Sequence, residues 1–232
     1  MTERNWTEIT NHNDGRLQLS AIIEATGEWR RSKGFETGWQ NFAEKLMLVV
    51  TEITEASEAA RTARACWRSL GVVRGNSKIG YATQFGYAIE NYAEEWIDVM
   101  VRIFDLIEAC RLVMPDGSTF PPLTRPPFGA DGATPIGEIF DLGFYQQQDR
   151  AIESLSRAME VFRDVKIGTT PEHGAAPLVG QRDRIDSLSL FLFQAAAIAA
   201  EAIGRLGEEW PRLYAEKMVK NEGRPTKHGR ER

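Results

Sequence analysis

The spacing of apolar residues along the chain predicts helices almost throughout. Apolar positions recur three and four residues apart, which places them on one side of a helix. The predicted helices cover residues 17–29, 39–65, 87–112, 140–165, 184–206 and 209–221. The alternating pattern typical of strands is nearly absent. The sequence therefore predicts an all-α fold in the form of a helical bundle.

Segments rich in glycine and proline divide this pattern. Residues 115–137 contain six prolines and four glycines, a composition that neither a helix nor a central strand tolerates. Shorter breaks are predicted at 71–86, from its Gly, Asn and Ser residues, and as a loop at 168–180. The predicted organisation is a helical domain at 1–114, a connector at 115–137, a helical second half at 138–221 that packs on the first, and a basic tail at 222–232.

Composition narrows the function classes. The net charge of −5 argues against general nucleic-acid binding, which usually goes with a basic balance. The only cysteines, Cys66 and Cys110, lie in apolar helical contexts, which indicates reduced thiols. The amino terminus lacks a signal-peptide pattern, and no apolar run approaches the roughly 20 residues that span a bilayer. We expect a cytoplasmic protein without membrane or nucleic-acid partners.

Two acidic pairs are the candidate chemistry. Glu52 with Glu55, and Glu95 with Asp98, are each three residues apart, so each pair shares one helix face beside the apolar stripe. Either pair alone is common on a solvated face. Two pairs within apolar runs favour a site, because a divalent cation offsets the cost of bringing four carboxylates together. Ligands that are all oxygen favour Mg²⁺, Mn²⁺ or Ca²⁺ over zinc.

These acidic pairs resemble the metal-binding signature of the MazG-like, all-α nucleoside triphosphate pyrophosphohydrolases. Residues 48–56 resemble the second helix of that family, and residues 94–99 resemble the third. The resemblance covers residues 15–112 and the carboxy-terminal tail. It implies hydrolysis of a nucleoside triphosphate to a monophosphate and pyrophosphate, with Mg²⁺, or Mn²⁺ in its place. It also implies that all four acids are metal ligands and catalytic residues: Glu52, Glu55, Glu95 and Asp98.

Departures from the family pattern leave a second function open. Thr51 stands where many members have another Glu, and residues 66–91 resemble an insertion. The alternative is a non-catalytic helical interaction protein that retains the ancestral acids. Members usually form dimers, which implies a homodimer or a higher homo-oligomer. Residues 183–200 echo 95–110, so a degenerate repeat could complete the bundle within one chain, although amphipathic helices in general look alike at this level.

Two residues near the first acidic pair are candidate substrate contacts. Lys45 is seven residues before Glu52 on the same helix face, where it could contact a phosphate or pair with a neighbouring Glu. Trp39 precedes the acidic helix. A ring in that position could stack on a nucleobase, but Trp at a helix start is more often part of the core.

The tail supplies the remaining candidates. Residues 217–229 resemble the family's Lys…Asn-x-x-Arg-Pro-x-x-His-Gly ending, and they are basic in an acidic chain. The resemblance implies a segment that folds over the triphosphate. Arg224 is the best bidentate phosphate partner, with Lys217, Asn221 and Lys227 contributing. A disordered basic end is the alternative, since chain termini are often unstructured.

Overall fold

The computed structural model describes residues 4–10, 19–73, 75–113, 144–170, 174–177 and 179–223. Its elements are α1 (Trp6–Thr10), α2 (Leu19–Ser32), a short 3₁₀ helix (Trp39–Asn41), α3 (Phe42–Leu70), α4 (Asn76–Ala109), α5 (Phe144–Asp164), β1 (Ile167–Thr170), β2 (Gly174–Pro177), α6 (Arg182–Gly204) and α7 (Trp210–Glu222). The prediction of an all-α fold is confirmed. The predicted connector at 115–137 and the tail beyond residue 223 lie outside the described residues.

Four long helices form the centre of the molecule. Helix α3 packs along α4, α4 along α6, α6 along α5, and α5 returns to α3. Their buried side chains belong to one continuous apolar core. Helix α2 covers α4, and α7 lies between α1 and α4. The second half of the chain thus completes, in the same molecule, a bundle that the first half begins.

The amino-acid pattern of α3 explains how it joins this bundle. Its fully buried residues are spaced alternately four and three apart, as a helix with one apolar side requires. They are Phe42, Leu46, Val49, Ile53 and Ala56. Ala59, Ala60 and Ala63 continue the same side toward the end of the helix. Their small side chains favour a close approach by α4.

The break predicted at 71–86 is wrong for most of its length, because α4 already begins at Asn76. Only a short turn joins α3 to α4, and Gly75 within it has a φ of 67°, which glycine adopts without strain. Beyond the turn, Trp67 and Phe85 pack with ring centroids 5.6 Å apart. Residues 66–91 therefore extend an antiparallel helical hairpin, and Gly80 and Gly86 within α4 did not end the helix.

The loop predicted at 168–180 contains a small hairpin. Strands β1 and β2 pair antiparallel, with Ile167 opposite Pro177. The side chain of Gln181 accepts a hydrogen bond from the Lys166 amide at 2.6 Å and donates one to the Lys166 carbonyl at 2.8 Å. These two hydrogen bonds join the residue before β1 to the residue before α6.

Helix α6 is the most apolar helix of the bundle. It is the one helix in the described part of the chain that is long and apolar enough to cross a membrane, and 61% of its apolar window is buried inside the protein. Leu188, Leu192, Ala195, Ala199 and Ile203 on it are fully buried. Such burial agrees with its prediction as a core helix.

Candidate metal centre

Three carboxylates meet where α3 and α4 run side by side. Glu52 and Glu55 extend from α3, and Glu95 extends from α4. Each offers an oxygen, and these oxygens lie within 4.8 Å of one another. The convergence follows from the sequence, because residues three apart on α3 share the face that α4 covers. Glu52 is buried, Glu95 is half-buried and Glu55 is exposed, so the group opens to solvent on one side.

Basic residues hold the acids at the edge of this group. The Nε of Arg102 donates to Oε1 of Glu52, which fixes the buried carboxylate. Asp98 lies outside the group of three, and its Oδ2 accepts a hydrogen bond of 2.5 Å from Lys217 Nζ. The structure thus brings together three of the four predicted acids, and it places the fourth against a lysine of α7.

The electrostatics of the group are those of crowded carboxylates. Burial, reinforced by the charges of Asp98, Glu55 and Glu52, raises the pKa of Glu95 to about 7. Burial also raises the pKa of Asp98, although the bond from Lys217 opposes that shift. A carboxylate with a raised pKa resists ionisation because its negative charge is poorly compensated. A bound cation would supply the missing positive charge.

The donor set fits a hard divalent cation. All three available ligands are carboxylate oxygens, the type that Mg²⁺, Mn²⁺ and Ca²⁺ prefer. The group borders a cleft of 430 Å³. Its lining residues are Glu55, Glu58, Ala59, Thr62, Ala88, Asn91 and Glu95. The cleft leaves room for water and for a phosphate group beside a cation.

The raised pKa of Glu95 predicts a pH-dependent stability in the absence of metal. Its pKa rises from 4.5 to about 7 on folding, so the folded chain holds the extra proton between these values, and stability falls as the pH rises through them. Gln cannot ionise. We therefore expect Glu95→Gln to gain stability relative to the parent between pH 5 and pH 8, measured by urea unfolding in EDTA. Glu58→Gln is the matched control, and an equal pH profile for both variants would contradict the assignment.

Lys217 is the buried centre of a second charge network. It is 7% exposed, and besides Asp98 it contacts Oε1 of Glu94 at 2.9 Å. Lys220 reaches the same Glu94 oxygen at 2.8 Å. The two lysines lower the pKa of Glu94 to about 2, so this carboxylate stays ionised.

Sequence reasoning missed two residues of the centre, Arg102 and Glu94. Arg102 lies four residues after Asp98, which places it on the same face of α4. Glu94 immediately precedes Glu95. Their partners, Glu52 and Lys217, are 50 and 123 residues away in the sequence. Only the packing of the helices brings these pairs together, so local spacing could not indicate them.

The other predicted substrate contacts that the structure describes have neighbours within the protein. Trp39 is buried and stacks with Phe42 and Phe162, at centroid distances of 5.9 and 6.5 Å. Lys45 contacts Glu44 at 3.3 Å. Asn221 is buried near the end of α7, where its amide nitrogen lies 3.8 Å from the Met218 sulfur. The predicted phosphate contacts Arg224 and Lys227 lie outside the described residues.

The fold and the centre together define an all-α bundle with an acidic group at a helix–helix junction. No family model matches this sequence, and no curated protein or solved structure matches it closely enough to indicate kinship. The chemistry of the centre is therefore inferred from its geometry and from the sequence pattern that predicted it.

Proposed function

We propose that this protein is a MazG-like nucleoside triphosphate pyrophosphohydrolase that uses Mg²⁺, or Mn²⁺ in its place. The observation that carries the proposal is the convergence of Glu52, Glu55 and Glu95 from two helices within 4.8 Å. The resemblance of the acidic pairs to that family supplies the reaction. Hydrolysis between the α and β phosphates would give a nucleoside monophosphate and pyrophosphate.

The carboxylates have distinct parts in this proposal. Glu52, Glu55 and Glu95 would hold the cation, which when bound neutralises phosphate charge and lowers the pKa of a water. Arg102 holds the Glu52 carboxylate in place through the hydrogen bond that its Nε donates. An oxygen of Glu95 that the cation does not engage would be placed to accept a proton from the attacking water.

The basic residues of α7 would bind the phosphates. Lys217 and Lys220 both form ion pairs with Glu94 of α4, and Lys217 also pairs with Asp98. An incoming phosphate would compete for these ammonium groups as a charge-assisted acceptor. Arg224 and Lys227 remain predicted phosphate contacts from the sequence, and the homo-oligomer also remains a prediction.

One observation favours the second candidate, a non-catalytic interaction protein. Glu52 and Asp98 already have basic partners, Arg102 and Lys217. Part of the acidic charge is therefore compensated within the protein. The two candidates differ in whether the remaining carboxylates bind metal.

Thermal melting with and without MgCl₂ separates the two candidates. A ligand that binds only the folded state raises the melting temperature, so the enzyme proposal predicts a rise with Mg²⁺ and a further rise with a nucleotide. Glu55→Gln should lose the Mg²⁺-dependent rise, and Glu160→Gln, at an exposed position of α5, should keep it. A screen of standard and modified nucleoside triphosphates for pyrophosphate release then tests the reaction. Identical melting with and without Mg²⁺ would favour the interaction protein.

A further inference from the structure

A separate cavity lies between α4 and α7, next to the candidate metal centre. Its volume is 310 Å³, which is at the small end of ligand sites. Its floor is apolar and consists of Ile89, Ala93, Ile97, Leu206 and Leu213. Its rim is charged and consists of Glu90, Glu94, Glu208, Glu216, Lys217 and Lys220. An apolar floor with a polar rim suits a flat ring that carries hydrogen-bonding groups on its edge.

The rim connects this cavity to the metal centre. Lys217 lines the cavity, and its Nζ contacts Asp98 at 2.5 Å. Glu95 follows Glu94 but lies about 100° further round the helix, so the connection runs through Lys217 and Asp98, whose charges both act on Glu95. A ligand in the cavity would therefore have its phosphates within reach of Lys217, at the edge of the acidic group.

The acidic residues of the rim differ in whether they form ion pairs with basic side chains. Glu208 and Glu216 both pair with Arg212, and Glu94 pairs with two lysines. Glu90 is exposed and has no ion-pair partner in the part of the chain that the structure describes. It lies one turn before Glu94 on α4, further from Asp98. Its carboxylate is thus the rim acceptor most available to a ligand.

We propose that this cavity binds the base of the nucleoside triphosphate, and that Glu90 selects bases with an exocyclic amino group. The inference rests on the function proposed above. An ionised carboxylate only accepts hydrogen bonds. The amino groups of adenine and cytosine donate, whereas hypoxanthine and uracil present an oxygen at the same position. An oxygen at that position cannot donate to Glu90, so the charge-assisted hydrogen bond that an amino group makes is lost and two acceptors face each other.

Nucleotide pairs that differ at this one group test the proposal. We expect kcat/KM to be about tenfold to a hundredfold higher for ATP than for ITP, and for CTP than for UTP, the ratio expected for one charge-assisted hydrogen bond. Glu90→Gln should reduce each ratio to about threefold or less, because an amide can rotate to donate or to accept. Glu160→Gln is the matched control, since it makes the same change at an exposed position of α5.

Filling the cavity gives an independent test. Ala93 lies on the floor between α4 and α7, and Ala93→Phe would occupy the space of a base. We expect KM to rise about tenfold or more for every nucleotide, since the ring would exclude the base from its apolar contacts. The rise in melting temperature with Mg²⁺ alone should persist. If Ala93→Phe does not fold, Glu90→Gln still tests the proposal, because Glu90 is exposed.

The outcomes separate this inference from the proposed function. Equal kcat/KM values within both nucleotide pairs, or a preference that Glu90→Gln leaves unchanged, would overturn it. If no nucleotide is hydrolysed, the rise in melting temperature with ATP and with ITP becomes the measurement. A larger rise with ATP that Glu90→Gln abolishes would support the cavity and overturn only the hydrolysis. Equal rises, or none, would overturn the base site.

Discussion

Replacing Glu55 by Gln is expected to abolish turnover while leaving the fold intact. Glu55 is the exposed member of the three converging carboxylates, so its loss removes a proposed metal ligand without opening the core. Losing one charge-assisted ligand contact should lower kcat/KM at least about a hundredfold, on the order of 3 kcal/mol. The melting temperature without metal should stay the same or rise, because one charge is removed from a repelling group. Pyrophosphate release and thermal melting of the same samples provide the measurement.

Two further variants define the limits of this prediction. Glu160→Gln makes the same change at an exposed position of α5 outside the group of three, so it should retain activity. Asp98→Asn should also abolish turnover if Asp98 joins the metal site when substrate arrives. Full activity in Glu55→Gln would remove the metal assignment, whereas full activity in Asp98→Asn alone would limit the centre to three carboxylates.

The periodicity of the sequence was enough to predict the bundle but not every helix boundary. Helix propensity and apolar spacing located α3, because its apolar residues alone define a side to bury. The start of α4 was missed because Asn76, Gly80 and Gly86 are turn formers in isolation. In the folded chain, Trp67 packs on Phe85 and Gly75 supplies the turn, so tertiary contact overrides the local preference.

The site shows the same division between local and long-range information. The i, i+3 spacing of Glu52 and Glu55 is local, and it predicted correctly that both share a face. The ion pair of Asp98 with Lys217 joins residues 119 positions apart. It depends on how α7 docks on α4, which no periodicity in either helix specifies. The core position of Trp39 likewise depends on Phe162, a residue of the second half.

Removing the buried ammonium of Lys217 is expected to cause the largest loss of stability. Lys217→Met keeps an unbranched apolar stem of similar width but leaves Asp98 without its counter-charge. Removing one partner of a largely buried pair costs about 3 kcal/mol, because the Asp98 side chain is only 23% exposed and its charge is left without a partner. The free energy of unfolding, from urea titration at pH 8, should fall by that amount. Turnover should fall as well, since Lys217 is a proposed phosphate contact.

The pH dependence and a matched lysine make this prediction specific. Without Lys217, the pKa of Asp98 would lie further above its ordinary value, since the ammonium now opposes the effect of burial. The variant should therefore be destabilised less at pH 5 than at pH 8, because Asp98 can take up a proton at the lower pH. Lys220→Met is the control. Its side chain is 62% exposed, and within the described residues its ion pair is with Glu94, so its loss should cost no more than about 0.5 kcal/mol.

A double variant tests whether Asp98 is the cause of the loss. Adding Asp98→Asn to Lys217→Met removes the buried charge that lost its partner, so most of the lost stability should return. Because the two side chains are in contact, the effects of the single changes should not add. If the double variant is as unstable as the sum of both single variants, Lys217 stabilises the protein through packing of its stem. The ion pair would then not be what holds α7 against α4.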